Sequence, residues 1–149
     1  MNSGDYESNI LPLPEITGSI LGVGIDLVEN ARVERMLDKF GERLLTRCFT
    51  PAEGKLCREA PDFIEAIAVR WAAKEACFKG INGRRGMNLG WREFEILLDN
   101  ELVPYVKLGP FASGHAKKQG IDKVFISLTH ERKWSAAIAI STSVPVAGK

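Results

Sequence analysis

Strict alternation over residues 20–27 limits the fold more than any other stretch of this sequence. Leu21, Val23, Ile25 and Leu27 fall on one side, and Ile20, Gly22, Gly24 and Asp26 fall on the other. A period of two reads as a β-strand, with the unbroken aliphatic side expected on the core. The glycine side is nearly bare beside the carboxylate of Asp26, so something can approach the backbone closely there. Asp26 reads either as a cap for the following turn or as a reactive group at the end of a strand.

Helical signals follow. Asn30 is a candidate N-cap, and Val33, Met36, Leu37 and Phe40 keep the i, i+3, i+4, i+7 spacing up to Gly41. Arg32, Arg35 and Lys39 lie away from that stripe, with Arg43 and Arg47 beyond the break. Thr50-Pro51-Ala52-Glu53 has capping-box spacing with proline at the first helical position, and Asp62 and Glu65 repeat the signature after Pro61. The longest helical pattern covers residues 62–79, and Gly80 is placed to end it. Residues 80–90 hold four glycines and read as a loop. Residues 94–98 and 104–108 alternate around Asp99-Asn100 as a hairpin. A short helix after Pro110 stops near Gly120, and two further strands center on Val124, Ile126, Leu128 and on Trp134, Ala136, Ile138, Ile140. The order β-α-α-α-β-β-α-β-β predicts an α+β fold, a largely antiparallel sheet with the long helix packed on it. The expected organisation is a flexible N-terminal extension over 1–19, one domain over 20–142 and a C-terminal tail over 143–149.

Composition removes several classes. The chain has 149 residues, 45% hydrophobic and 26% charged, which excludes a disordered or coiled-coil protein. No apolar run is long enough to span a membrane. A formal charge of +1 gives nucleic-acid binding no support. The N-terminus carries Asp5, Glu7 and Glu15 and lacks the basic start of a signal peptide. Cys48, Cys57 and Cys77 form no CxxC pair and only two histidines exist, which argues against structural zinc and for reduced thiols in a cytoplasmic protein.

Residues 70–79 read Arg-Trp-Ala-Ala-Lys-Glu-Ala-Cys-Phe-Lys. On a helix, Trp71, Glu75 and Lys79 stack along one face, and Arg70 and Lys74 form an i, i+4 pair beside them. Three cations around one carboxylate, interleaved with alanines, suit a compact anion site; the same run also reads as a solvated face of ion pairs. Were Glu75 to pack near Asp26, the two carboxylates would suit Mg²⁺ carrying a pyrophosphate, with lysines balancing the remaining phosphate charge.

Gly24-Ile25-Asp26 and Trp71-Ala72-Ala73-Lys74-Glu75-Ala76-Cys77-Phe78-Lys79 resemble the two signatures of the phosphopantetheinyl transferases. The short chain, and Ser127-Leu128-Thr129-His130, are similar to the holo-[acyl-carrier-protein] synthase branch. The resemblance runs over residues 20–140. It implies transfer of 4′-phosphopantetheine from coenzyme A to a serine of an apo acyl carrier protein, with Mg²⁺ (Mn²⁺ suiting the same oxygens) and adenosine 3′,5′-bisphosphate leaving. By the same resemblance Asp26 and Glu75 are metal ligands, and Glu75 and Lys79 are catalytic. Arg70, Lys74, Lys79, Thr129 and His130 contact coenzyme A, the last two usually from a neighbouring subunit. Arg32, Arg35 and Met36 lie on the surface that receives the carrier protein. The base that takes the serine proton is either Glu75 or a metal-held water. A cytoplasmic homotrimer serving fatty acid biosynthesis is also implied.

Gly80-Ile81-Asn82-Gly83-Arg84-Arg85-Gly86 and Leu102-Val103-Pro104 depart from the family's usual turns. Two other readings stand beside the enzyme: a coenzyme A or nucleotide module without transfer activity, and an adaptor whose basic helix docks an acidic partner.

Overall fold

Two glycines on one strand decide where the longest helix lies. The computed structural model describes residues 18–144, so most of the expected extension and of the expected tail falls outside the described residues. The elements are β1 (Ile20–Glu29), α1 (Asn30–Phe40), α2 (Glu42–Cys48), α3 (Pro51–Glu59), α4 (Phe63–Gly80), β2 (Phe94–Leu98), β3 (Pro104–Leu108), α5 (Pro110–Lys118), β4 (Lys123–Glu131) and β5 (Trp134–Thr142). The fold is α+β and its strand pairs are antiparallel, as expected. One helix more than expected is present, because Gly41 turns the chain at φ 53° and the residues after it resume as α2. The strands form a three-stranded sheet of order β1-β5-β4 and a separate β2-β3 hairpin.

The facing of β1 is the reverse of the sequence expectation. A Cβ on Gly24 would lie 1.9 Å from the Ala76 carbonyl oxygen, and one on Gly22 would lie 2.0 Å from that of Gly80. The helix backbone therefore lies directly on the glycine side, and Ser135, Ala137, Ala139 and Ser141 of β5 continue this small-residue floor. Val23, Ile25 and Leu27 point outward, 57%, 66% and 60% exposed. Steric room outweighs hydrophobicity in choosing the face, since only the bare side admits a helix at backbone contact.

The rest of the core wraps α4. Ala66, Ile67, Ala68, Ala72, Ala73, Ala76 and Cys77 of the helix are buried together with Val33, Phe49, Phe94 and Ile96. A helix apolar nearly all round sits at the centre of a domain, as this one does. Among the described residues, no helix is long and apolar enough to cross a membrane.

Local signals held unevenly. The Thr50 capping box forms in full, and Asp62 accepts the Glu65 backbone N–H at 2.9 Å. Asn30, by contrast, is the first helical residue and not the cap; Glu29 takes the cap position without a side-chain bond.

Candidate active site

The end of β1 and the last turns of α4 meet at three charged side chains. Lys79 Nζ donates to Asp26 Oδ1 at 3.1 Å and to the Ile25 carbonyl at 2.8 Å. Glu75, one turn earlier on α4, is half-buried, and burial first and the charge of Asp26 second push its carboxyl above the usual range. Lys79 and Arg32 pull the same group down. The carboxylates of Asp26 and Glu75 thus lie within Coulombic reach of each other, and an ammonium already occupies a cation's place beside them. Among the described residues no group of three or more metal-ligating side chains is clustered. A divalent ion held here would take two carboxylates from the protein and leave its other positions open, the pattern Mg²⁺ favours.

A second feature opens along α4. A cavity of about 860 Å³ is lined by Asp62, Glu65, Arg70, Pro104, Leu128 and His130 among others. Arg70 is 6% exposed; its Nη1 donates to the Ala66 carbonyl at 3.1 Å, while its buried Nε has no partner. His130 Nδ1 lies 3.0 Å from Glu65 Oε2. A mainly apolar hollow with a guanidinium in its wall and an imidazole at its edge suits a flat apolar group carrying an anion.

The family model of the 4′-phosphopantetheinyl transferase superfamily matches residues 22–139. The chain belongs to that superfamily. It is an enzyme of the holo-[acyl-carrier-protein] synthase branch: the holo-[acyl-carrier-protein] synthase of Desulforudis audaxviator is 40% identical over 122 residues, covering 82% of this chain and 92% of its own. The crystal structure of the Neisseria meningitidis holo-[acyl-carrier-protein] synthase superposes with TM-score 0.77 at 30% identity, covering 84% of this chain and 100% of its own. The Helicobacter pylori holo-[acyl-carrier-protein] synthase in complex with coenzyme A superposes with TM-score 0.71 at 26% identity, covering 80% of this chain and 99% of its own.

Of the residues expected of a phosphopantetheinyl transferase, Asp26, Glu75 and Lys79 meet where β1 joins α4, Arg70 and His130 line the cavity, and Lys74 lies elsewhere. Lys74 does not join a basic wall. It is 0% exposed, with Nζ 2.7 Å from Glu53 Oε1 and donating to the carbonyls of Trp91 and Phe94 at 3.1 and 2.6 Å. Burial lowers its pKa, against the opposing pull of Glu53. The helical period separates it from Glu75 by about 100°, which turns it into the core. Thr129, expected to act from a neighbouring subunit, lies away from this cavity. It alternates with His130 and faces the outer side of the sheet, opposite Ala136.

Arg32 and Arg35 are exposed on α1, Arg35 paired with Glu29 at 3.6 Å, and Met36 is half-buried against the core. Cys77 is buried and its thiol pushed up to about 12, so it is no nucleophile. His115 lies 2.9 Å from the Ile81 carbonyl through Nε2 and ties α5 to the end of α4. Sequence reasoning missed Glu53 and Glu65. Both look like helix-start residues, yet the Glu53 carboxylate also pairs with Lys74 and the Glu65 carboxylate reaches His130.

Proposed function

We propose that this chain transfers the 4′-phosphopantetheine group of coenzyme A to a serine of an apo acyl carrier protein, releasing adenosine 3′,5′-bisphosphate. The observation that carries this reading is the convergence of Asp26, Glu75 and Lys79 where β1 meets α4. Asp26 and Glu75 would hold Mg²⁺, with Mn²⁺ suiting the same oxygens. Such an ion, when bound, supplies charge neutralisation at the pyrophosphate and polarises the phosphoryl oxygens.

In the reaction the serine oxygen bonds to the β-phosphorus, and the bond from that phosphorus to the oxygen of the departing nucleotide breaks. The serine proton passes to a base; on this chain Glu75, beside Asp26 at the end of β1, is the candidate. Lys79, at the edge of the site, is placed to balance charge that builds on the phosphoryl group and the leaving oxygen. Arg70 and His130 would hold the nucleotide end of the coenzyme, a guanidinium and an imidazole that line the same cavity.

The carrier protein would dock on α1 through Arg32, Arg35 and Met36. Arg43 and Arg47 beyond it line a cleft of about 450 Å³ with Phe40 and Trp91, which suits an acidic helix bearing an apolar side chain. A homotrimer is supported by the outward aliphatic face of the sheet, where Thr129 also lies. Three free, buried cysteines accord with a cytoplasmic protein.

Mass spectrometry of an apo carrier protein incubated with the enzyme, coenzyme A and Mg²⁺ tests the reading. The expected result is a phosphopantetheine adduct on one serine, lost with Glu75→Ala. Coenzyme A binding without an adduct on any carrier protein defeats it in favour of a binding module.

A further inference from the structure

Asn30 opens α1, yet its side chain serves a different part of the molecule. Its Nδ2 donates to the Arg132 carbonyl at 3.2 Å, and its Oδ1 accepts from Ser135 Oγ at 2.7 Å. Its backbone N–H donates to the Lys133 carbonyl at 2.8 Å. All three bonds reach the turn that joins β4 to β5. In that turn Arg132 adopts φ 48°, a conformation that side-chain-bearing residues hold only when neighbours enforce it.

His130 is the next-to-last residue of β4, just before that turn. In the β4–β5 ladder Ser135 is the residue directly opposite His130, and Ser135 is 0% exposed. Its hydroxyl would otherwise be a buried donor, and the amide of Asn30 is the partner it has. The first residue of α1, four past Asp26, is thereby tied to the strand end that sets where the His130 imidazole meets Glu65 and the cavity.

We infer that Asn30 is a positioning residue for the coenzyme site: by gripping Ser135 and the Arg132 carbonyl it fixes the turn that holds His130 in place. The inference rests on His130 contacting coenzyme A, as proposed above. Glu29 holds the cap position of α1, and both side-chain bonds of Asn30 leave the helix.

The test uses the full chain with Asn30→Ala, Ser135→Ala, His130→Ala and the double variant Asn30→Ala/His130→Ala. Asn30→Asp joins them, because it keeps the acceptor for Ser135 and loses the donor to Arg132. The chain has only two histidines, so their ring signals in proton NMR are assigned by the His130→Ala spectrum. The expected result is a displaced His130 signal in Asn30→Ala with that of His115 unmoved, and KM for coenzyme A raised about five- to tenfold with kcat nearly unchanged, the effect of losing one or two neutral hydrogen bonds. The double variant should be no worse than His130→Ala alone, because the two changes act through one group. If Asn30→Ala unfolds, Asn30→Asp and Ser135→Ala carry the same comparison. An unmoved His130 signal, or a double variant whose losses multiply, overturns the role of Asn30 while leaving the coenzyme site intact. An unchanged KM in His130→Ala overturns the proposed contact itself, and the inference with it.

Discussion

Lys79 donates to Asp26 across the junction of helix and strand at 3.1 Å, and the Ile25 carbonyl holds the same ammonium at 2.8 Å. Lys79 is half exposed, its side chain at 48%, so this pair contributes little to stability. Its value lies in placing a cation next to two acids that otherwise repel. Lys79→Met is expected to leave the melting temperature nearly unchanged and to lower kcat by about 10²- to 10³-fold, the usual effect of removing one charge-stabilising donor. Isothermal calorimetry should still detect Mg²⁺ binding in that variant and lose it in Asp26→Ala. A Lys79→Met enzyme of normal kcat would remove the lysine from the chemistry.

Gly24 admits the backbone of α4. A methyl group there meets the Ala76 carbonyl oxygen at 1.9 Å, and neither partner is a flexible side-chain end. Gly24→Ala must push the helix off the sheet, at a cost of about 1–3 kcal/mol for overpacking. It also moves Glu75, the neighbour of Ala76, away from Asp26. Urea denaturation should show the loss of stability, and transfer activity should fall further than the lost folded fraction accounts for. An active, fully stable Gly24→Ala protein would contradict the backbone contact between α4 and β1.

The legibility of this chain follows from where each signal is written. The Thr50 capping box and the hairpin around Asp99 are local, and both formed as read, Asp99 Oδ1 accepting from the Glu101 and Val103 backbones at 2.9 Å each. The close approach at Gly22 and Gly24 was visible as empty space, but not its occupant. Hydrophobicity alone then assigned the wrong face to the core, because the described residues leave the aliphatic side uncovered. Lys74 was misread for a related reason. A charged residue inside a functional pattern looks like part of the site, and only its partner Glu53, 21 positions away, reveals an interior ion pair. Asp26, Glu75 and Lys79 were legible as residues, while their meeting point required the packing.

Glu53 joins three elements at one carboxylate, accepting from the Thr50 and Ile96 backbone N–H groups at 2.8 and 2.9 Å and pairing with Lys74. Lys74→Met leaves that charge buried with its main partner gone. Breaking a buried pair from one side costs about 3–5 kcal/mol, so the variant should unfold at markedly lower urea concentration. The double variant Glu53→Gln/Lys74→Met should recover part of the loss. A role in coenzyme binding would instead appear as a raised KM at unchanged stability.

Burial raises the thiol pKa of Cys48 and Cys57, and drives that of Cys77 to about 12. The folded thiols therefore hold their protons where unfolded ones release them. Stability from this source is complete below the ordinary value of 9.0 and is lost as pH rises above it. The native protein should resist a thiol-specific alkylating agent at pH 8 and react fully in denaturant. Rapid native alkylation would contradict the burial of all three.

The outward face of the three-stranded sheet remains to be accounted for. Across the ladder Val23 lies opposite Ile140 and Ile25 opposite Ile138, while Phe125 pairs with Ile140 on the far side. Val23, Ile25, Leu27 and Ile138 are exposed and contiguous, and Trp134 continues the patch at 48% exposure. A soluble monomer rarely leaves so continuous an apolar face in water, and a symmetric assembly of identical chains is the simplest way to cover it. Ile25→Asp places a charge at the middle of that face without touching α4 on the other side. Sedimentation velocity should show a trimer for the parent protein and a single-chain species for this variant. Activity should fall with the assembly if Thr129 serves a neighbouring subunit's site. A parent protein that sediments as a monomer, or an Ile25→Asp protein that stays trimeric, would show that this face is not the interface.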